Sequence, residues 1–167
     1  DAGTNSVRLL IARETEDGVQ ELHRDMRIVR LGQGVDETGE FAPEALQRTF
    51  AAVDDYAREI TRHGAHPTRF IATSASRDVS NRDEFVSGIR QRLHATPEVV
   101  SGEVEAQLTF SGAVSALDTS RWDRPVRVAV VDLGGGSTEI VLGTIDPTDG
   151  TAHIMAQTSM DVGCVRF

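Results

Sequence analysis

The sequence predicts an α/β fold, a mixed β-sheet flanked by helices. Three observations predict it. Strand-like apolar runs open the chain, helical periodicity follows between Leu46 and Ile60, and two apolar runs joined by glycines, Val128–Val131 and Ile140–Leu142, come near the end. A length of 167 residues is enough for one domain with a proper core.

The elements can be justified in order. Asp1–Ser6, DAGTNS, is a turn-forming stretch, and Val7–Ala12, VRLLIA, is a strand. The chain starts on the acid, where a preceding strand is expected, which implies a few more residues upstream. Glu14–Gly18 is a polar turn and Val19–Leu31 a second strand, so the opening is a β-meander. Gly32–Gly39 is a loop. Pro43 suits the first position of a helix, with Phe41 or Ala42 near the cap. Leu46, Phe50, Val53, Ala57 and Ile60 then make one helical face, and Gly64 is a C-terminal cap. This helix is assigned to packing and to no chemistry. Arg69–Thr73 is a short strand. TSASR, Thr73–Arg77, follows with Asp78 and Asn81 behind it, before a helix over Glu84–Leu93. Val99–Val100 is a brief strand, and Ser101–Gly102 caps a helix from Glu103 to about Leu117. After a polar loop, Asp118–Pro125, and the glycine hairpin, Thr151–Gln157 is one more strand, and Met160–Phe167 closes on another glycine turn.

The stretch Val128–Val141, VAVVDLGGGSTEIV, carries the chemical signal. Gly134, Gly135 and Gly136 are more glycine than a tight turn needs. Backbone without Cβ atoms can approach a ligand closely, and successive N–H groups can form an anion-binding nest. Asp132 and Glu139 flank the turn with hard oxygen ligands of the kind magnesium takes. A flexible glycine-serine hairpin tip with two solvated acids is the alternative. The opening repeats this plan: Asp1-x-Gly3-Thr4-Asn5-Ser6 against Asp132-x-Gly134-x-x-Ser137-Thr138. Small hydroxyl residues between a strand and a helix, as in TSASR, suit a ligand-facing sheet edge. Arg77 is there either as a phosphate clamp or as a solvated helix-start arginine. Glu103 and Glu105 sit in a first helical turn, where carboxylates suit the dipole without any further role.

Composition narrows the field. Apolar content of 39% and charged content of 26% are ordinary for a globular chain, and no apolar run approaches the roughly 20 residues of a membrane span. No signal peptide is visible. A net charge of −9 argues against non-specific nucleic-acid binding. Cys164 is the single cysteine, so no intrachain disulfide can form, consistent with a reducing compartment. All 17 basic residues are arginine. A GC-rich coding bias explains this more simply than selection for phosphate binding, but the missing lysine excludes a P-loop.

DAGTNSVRLL, TSASRDVSN, SGEVEAQLTFSGAV, VVDLGGGSTEIV and MDVGCVRF come in the order found in one family. The chain resembles the N-terminal domain of the exopolyphosphatase/guanosine pentaphosphate phosphohydrolase (Ppx/GppA) family over nearly its whole length. The resemblance implies a ribonuclease H-like fold, that of actin, Hsp70 and the sugar kinases. Residues 1–167 would be its N-terminal phosphatase domain, with the start trimmed and the second domain of the cleft absent. Asp132 and Glu139 resemble the family's magnesium-binding acids, and Asp1 keeps the first loop's acid, which would reach the metal through water. Gly3, Thr4, Asn5 and Ser6 resemble one phosphate loop, and Gly134, Gly135, Gly136 and Ser137 the other. Arg77 resembles the phosphate-contacting arginine. Glu105 matches the second acid of the usual S-G-x-E-E-A run and resembles the catalytic base, while Val104 stands where the first acid often stands. Cys164 replaces a residue that is often serine. The implied activity is release of terminal orthophosphate from polyphosphate with Mg2+, in a cytoplasmic enzyme with neither nucleic-acid nor membrane partners and a homodimer as one candidate assembly of the full-length protein. The alternatives are a guanosine pentaphosphate (pppGpp) phosphohydrolase, an ATP-dependent kinase of the same fold, and a catalytically silent polyphosphate-binding module.

Overall fold

The computed structural model describes residues 1–16, 18–77 and 79–165. Asp78, behind the TSASR stretch, and the final Arg166 and Phe167 lie outside the described residues. The chain divides into two compact units, Asp1–Val99 and Val100–Phe167. As expected from the sequence at the coarse level, it mixes small β-sheets with flanking helices.

In the first unit, strands β1 (Ser6–Thr15) and β2 (Gly18–Ile28) pair antiparallel from Ser6↔Ile28 to Thr15↔Gly18. Short strands β3 (Ile71–Ala72) and β4 (Glu98–Val99) pair in parallel. Ala2 joins the two pairs, bridging antiparallel to Val7 and parallel to Ala72. The resulting order is β2-β1-Ala2-β3-β4.

The Gly32–Gly39 loop contains a one-turn helix, α1 (Val35–Thr38). Helix α2 (Pro43–His63) starts with Pro43 after an extended Ala42, where its missing N–H is no loss, and ends at Gly64 in the left-handed region. Its buried stripe is Ala45, Leu46, Thr49, Ala52, Val53 and Tyr56. That differs from the expected stripe, since Phe50, Ala57 and Ile60 are only half-buried. Counting apolar residues passes over Thr49 and Tyr56, whose polar atoms are satisfied inside. Thr49 donates to the Ala45 carbonyl at 2.8 Å, and Tyr56 donates to the Val7 carbonyl of β1 at 3.0 Å. Helix α3 (Arg82–Leu93) follows. Phe85 from α3 packs between Phe41 and Phe70, with ring centroids 5.4 and 6.2 Å away. Asn81 holds Phe41 in place by accepting from its N–H at 2.9 Å and donating to its carbonyl at 3.0 Å.

In the second unit, helix α4 (Gly102–Ser115) packs on an antiparallel meander of β5 (Val126–Leu133), β6 (Thr138–Ile145) and β7 (Ala152–Met160). Helix α4 stops at Ser115, two residues short of the expected Leu117. Its core is Ala106, Phe110 and Val141, with Val114, Val128 and Val130 against it. The expected hairpin is present and longer than its apolar runs, because ladder pairing carries the strands to Leu133 and Thr138, at the edge of the glycine turn. No helix among the described residues is long and apolar enough to cross a membrane.

Tyr56 offers a test of the first unit. Its phenol is 3% exposed, and burial first, with the Asp25 charge second, pushes its pKa up to about 12. A folded-state pKa above the unfolded value makes a stabilising contribution that is whole below the unfolded value of about 10 and is lost as pH rises through about 12. Tyr56 is the single tyrosine and lysine is absent, so tyrosinate absorbance titrates this one group. The expected midpoint is near 12 in the native chain and near 10 in denaturant; a native midpoint near 10 would contradict the burial. Tyr56→Phe should remove this alkaline dependence and cost about 0.5–1.5 kcal/mol at neutral pH through the lost hydrogen bond.

Candidate active site

The predicted site residues fall into both units. Asp1, Gly3, Thr4, Asn5, Ser6 and Arg77 belong to the first; Glu105, Asp132, Gly134, Gly135, Gly136, Ser137 and Glu139 belong to the second.

In the first unit, Gly3 opens a tight turn in which its N–H donates to the Ser6 carbonyl at 3.0 Å, while Ala2 and Val7 pair beyond it. The turn is tied down from outside. The Asn5 carbonyl accepts from Val29 and Arg30 at 2.9 and 2.8 Å, and the Thr4 carbonyl accepts from Gly32 at 2.8 Å. Gly32 is needed for this approach, since a Cβ there would lie 2.3 Å from the Thr4 methyl and 3.4 Å from the Ala75 Cβ. The same close packing brings the Gly3–Ser6 turn against the TSASR segment, where Ser74–Ser76 forms a single 3-10 turn closed by Arg77 N–H donating to the Ser74 carbonyl at 3.1 Å. The hydroxyls of Thr4 and Ser76 are both buried without a hydrogen-bond partner. Orphaned hydroxyls on a glycine loop fit a ligand that supplies acceptors. Arg77 is half-buried, and Asp1 is exposed with its carbonyl accepting from Arg8 at 2.8 Å.

The second unit contains the same turn. Gly134 N–H donates to the Ser137 carbonyl at 2.9 Å, with Leu133 and Thr138 paired beyond it. Spacing and bond direction match those of Gly3–Ser6, so the sequence repeat corresponds to a repeated structure. Here the brace is the chain's closing segment. Cys164 and Val165 donate their N–H groups to the carbonyls of Gly134 and Gly135 at 3.0 and 2.9 Å, and Thr138 donates its hydroxyl to the Val162 carbonyl at 2.5 Å. Backbone lies directly on backbone, because a Cβ on Gly163 would sit 2.4 Å from Gly135 and 2.5 Å from the Gly136 nitrogen.

Asp132 and Glu139 face each other as a cross-strand pair, and Glu139 in turn faces Ser159 on β7. The three form one row across the sheet. Residues directly opposite share a face, and like charges so placed repel. Each carboxylate has one hydroxyl donor: Thr109 on α4 bonds Asp132 Oδ2 at 3.0 Å, and Ser159 bonds Glu139 Oε1 at 2.7 Å. Glu139 is 1% exposed. Two opposed carboxylates, one buried and one half-buried, have the hard oxygen donors of a magnesium site.

Helix α4 places Glu105 over this row. Gly102 lies against Ser159, where a Cβ would be 2.6 Å from the serine hydroxyl, and Thr109 reaches Asp132. Glu105 lies between them at helical spacing i, i+3, i+7, so all three share one face. The Ser101 side chain caps the helix by accepting from Val104 N–H at 3.3 Å. Glu105 is half-buried, whereas Glu103 is exposed.

The sequence reading missed Thr109, Ser159 and the contact made by Gly163. Nothing local marks them, since their partners lie more than twenty residues away or across a turn. The pattern that could have found Ser159 is strand register, which sets it opposite Glu139.

The Ppx/GppA phosphatase family matches residues 10–167. The chain belongs to that family. It is 48% identical over its whole length to Exopolyphosphatase 2 of Mycobacterium tuberculosis, of which it spans 52%. The crystal structure of an exopolyphosphatase-like protein superposes with a TM-score of 0.86 at 46% identity, covering 99% of this chain and 50% of that one. An exopolyphosphatase from Cytophaga hutchinsonii superposes at 0.85 with 27% identity, covering 98% and 49%. The chain therefore spans about half the length of the Ppx/GppA relatives it matches.

The brace on the glycine turn can be tested by a pair of substitutions. Gly163→Ala should destabilise by about 1–3 kcal/mol in chemical denaturation, because its methyl would meet the Gly135–Gly136 backbone. Gly112→Ala on α4, with nothing within 4 Å of the new methyl, should instead stabilise by about 0.5–1 kcal/mol.

Proposed function

We propose that this chain is the N-terminal half of a Ppx/GppA phosphohydrolase that releases terminal orthophosphate from inorganic polyphosphate by attack of water. The observation that carries the proposal is the recurrence of one glycine-to-serine turn at Gly3–Ser6 and Gly134–Ser137, each two residues after an aspartate. Two such turns serve as the two phosphate loops of an actin-like ATPase fold, and the order β2-β1-Ala2-β3-β4 supports that assignment. The 48% identity to an exopolyphosphatase favours polyphosphate over guanosine pentaphosphate as substrate.

Phosphoryl transfer has a loose transition state, so the protein mainly positions groups and balances charge. In each unit the turn N–H groups suit non-bridging phosphate oxygens, joined by the Thr4 and Ser6 hydroxyls and the Arg77 guanidinium in the first and by the Ser137 hydroxyl in the second. Asp132 and Glu139 would hold magnesium, whose charge would offset that of the polyanion. Thr109 and Ser159 orient the two carboxylates by hydrogen bonding. Glu105, on the helix face between them, positions the attacking water and accepts its proton. The net charge of −9 makes these local positive and N–H groups necessary, since the overall field repels the substrate.

The test is orthophosphate release by the full-length protein from long polyphosphate, short polyphosphate and pppGpp, with and without Mg2+. Glu105→Gln should lower turnover by about 10²–10⁴-fold and leave polyphosphate binding within about twofold; full retained activity would remove Glu105 as the base. Arg77→Ala should lower turnover by about 10²-fold and weaken phosphate binding, with the magnesium dependence unchanged. ADP formed alongside a phosphorylated sugar would identify a kinase instead, and binding without release a silent module.

A further inference from the structure

We infer that the first unit carries a second metal site, for a zinc-class divalent cation, formed by His23, Glu59 and His63. His23 comes from β2, and Glu59 and His63 lie one turn apart near the end of α2. One ligand atom from each lies within 4.8 Å of the others. None of the three is among the phosphate-site residues, and none belongs to a motif that the family resemblance uses.

Four observations carry the inference. First, Glu59 Oε2 and His63 Nε2 are buried without a hydrogen-bond partner, yet only 3.8 Å apart. That separation is too long for a hydrogen bond and suits two ligands of one ion, which stand about 3.3 Å apart around a tetrahedral centre with bonds near 2.0 Å. Second, Glu59 Oε1 faces exposed Arg62 at 3.5 Å, so its two oxygens are differentiated, one toward solvent and one inward. Third, the His23 and His63 ring centroids lie 5.7 Å apart with their planes tilted by 34°, so the rings are close without stacking. Fourth, the β1–β2 ladder slips at this place: Ile11 pairs with His23 and Ala12 with Glu21, leaving Leu22 as a bulge residue. A bulge re-aims the neighbouring side chain.

Helix periodicity makes the placement unusual. Tyr56, Glu59 and His63 follow at i, i+3, i+7, so the stripe that packs Tyr56 onto β1 continues as two ionisable groups. An apolar pair would serve simple packing better. Two imidazoles and one carboxylate select zinc, cobalt or nickel over magnesium, which prefers oxygen donors, and three protein ligands leave a fourth position for water. Fractional exposures of 23% for His63 and 30% for Glu59 leave room for entry. Bound metal would clip β2 to the last turn of α2, reinforcing the Arg27–Asp55 ion pair between the same two elements.

The test is calorimetric titration of the metal-free 167-residue chain with Zn2+, with Co2+ absorption as a report of coordination. One equivalent should bind, Mg2+ at millimolar concentration should not compete, and Zn2+ should raise the thermal midpoint. His23→Ala, Glu59→Gln and His63→Ala should each weaken binding by roughly 10-fold or more, whereas His153→Ala should not. Metal-free circular dichroism of each variant separates lost binding from lost folding; a variant that does not fold is replaced by His23→Gln or His63→Gln. Absence of saturable binding, or equal binding by all the variants, would overturn the site.

Discussion

Asp132 and Glu139 are two like charges set directly opposite each other on paired strands, one of them almost fully buried. Left alone, that arrangement opposes folding. Much of the second unit is built to contain it. Thr109 reaches down from α4 to one carboxylate, Ser159 reaches across from β7 to the other, and Gly102 lets the helix start lie flat on Ser159. The result also places Glu105 above the pair. Containing the repulsion and placing Glu105 on that helix face are therefore one structural solution.

The two glycine turns share a different logic. Each is a short loop closed by one glycine-to-serine hydrogen bond, and each is braced from outside. In the first unit the brace is the end of β2 and Gly32; in the second it is the closing segment around Gly163. Glycine therefore appears on both sides of these contacts, in the turn itself and in the backbone that braces it. Desolvation also falls on the hydroxyls of Thr4 and Ser76, which are buried without a hydrogen-bond partner.

Helix α2 illustrates how the character of one packing face can change along its length. Its apolar count marks it as a core helix, and at its N-terminal half it is one. Towards its C-terminus the same face turns polar, and there Tyr56, Glu59 and His63 meet β1 and β2 through specific atoms rather than by area.

The order of elements, the hairpin around the three glycines, the caps at Pro43 and Gly64, and the repeat linking Gly3–Ser6 to Gly134–Ser137 were all legible from sequence. These are local properties: backbone conformations that only certain residues adopt, and side-chain periods of two or 3.6 residues. The motifs also sufficed to place the chain in its family. The true buried stripe of α2, the part played by Ala2 as a bridge to β3, and the partners of Asp132 and Glu139 were decided only by tertiary structure. Each depends on which distant backbone or hydroxyl arrives at a given point, and a contact between residues twenty or more positions apart leaves no imprint on the spacing of either one.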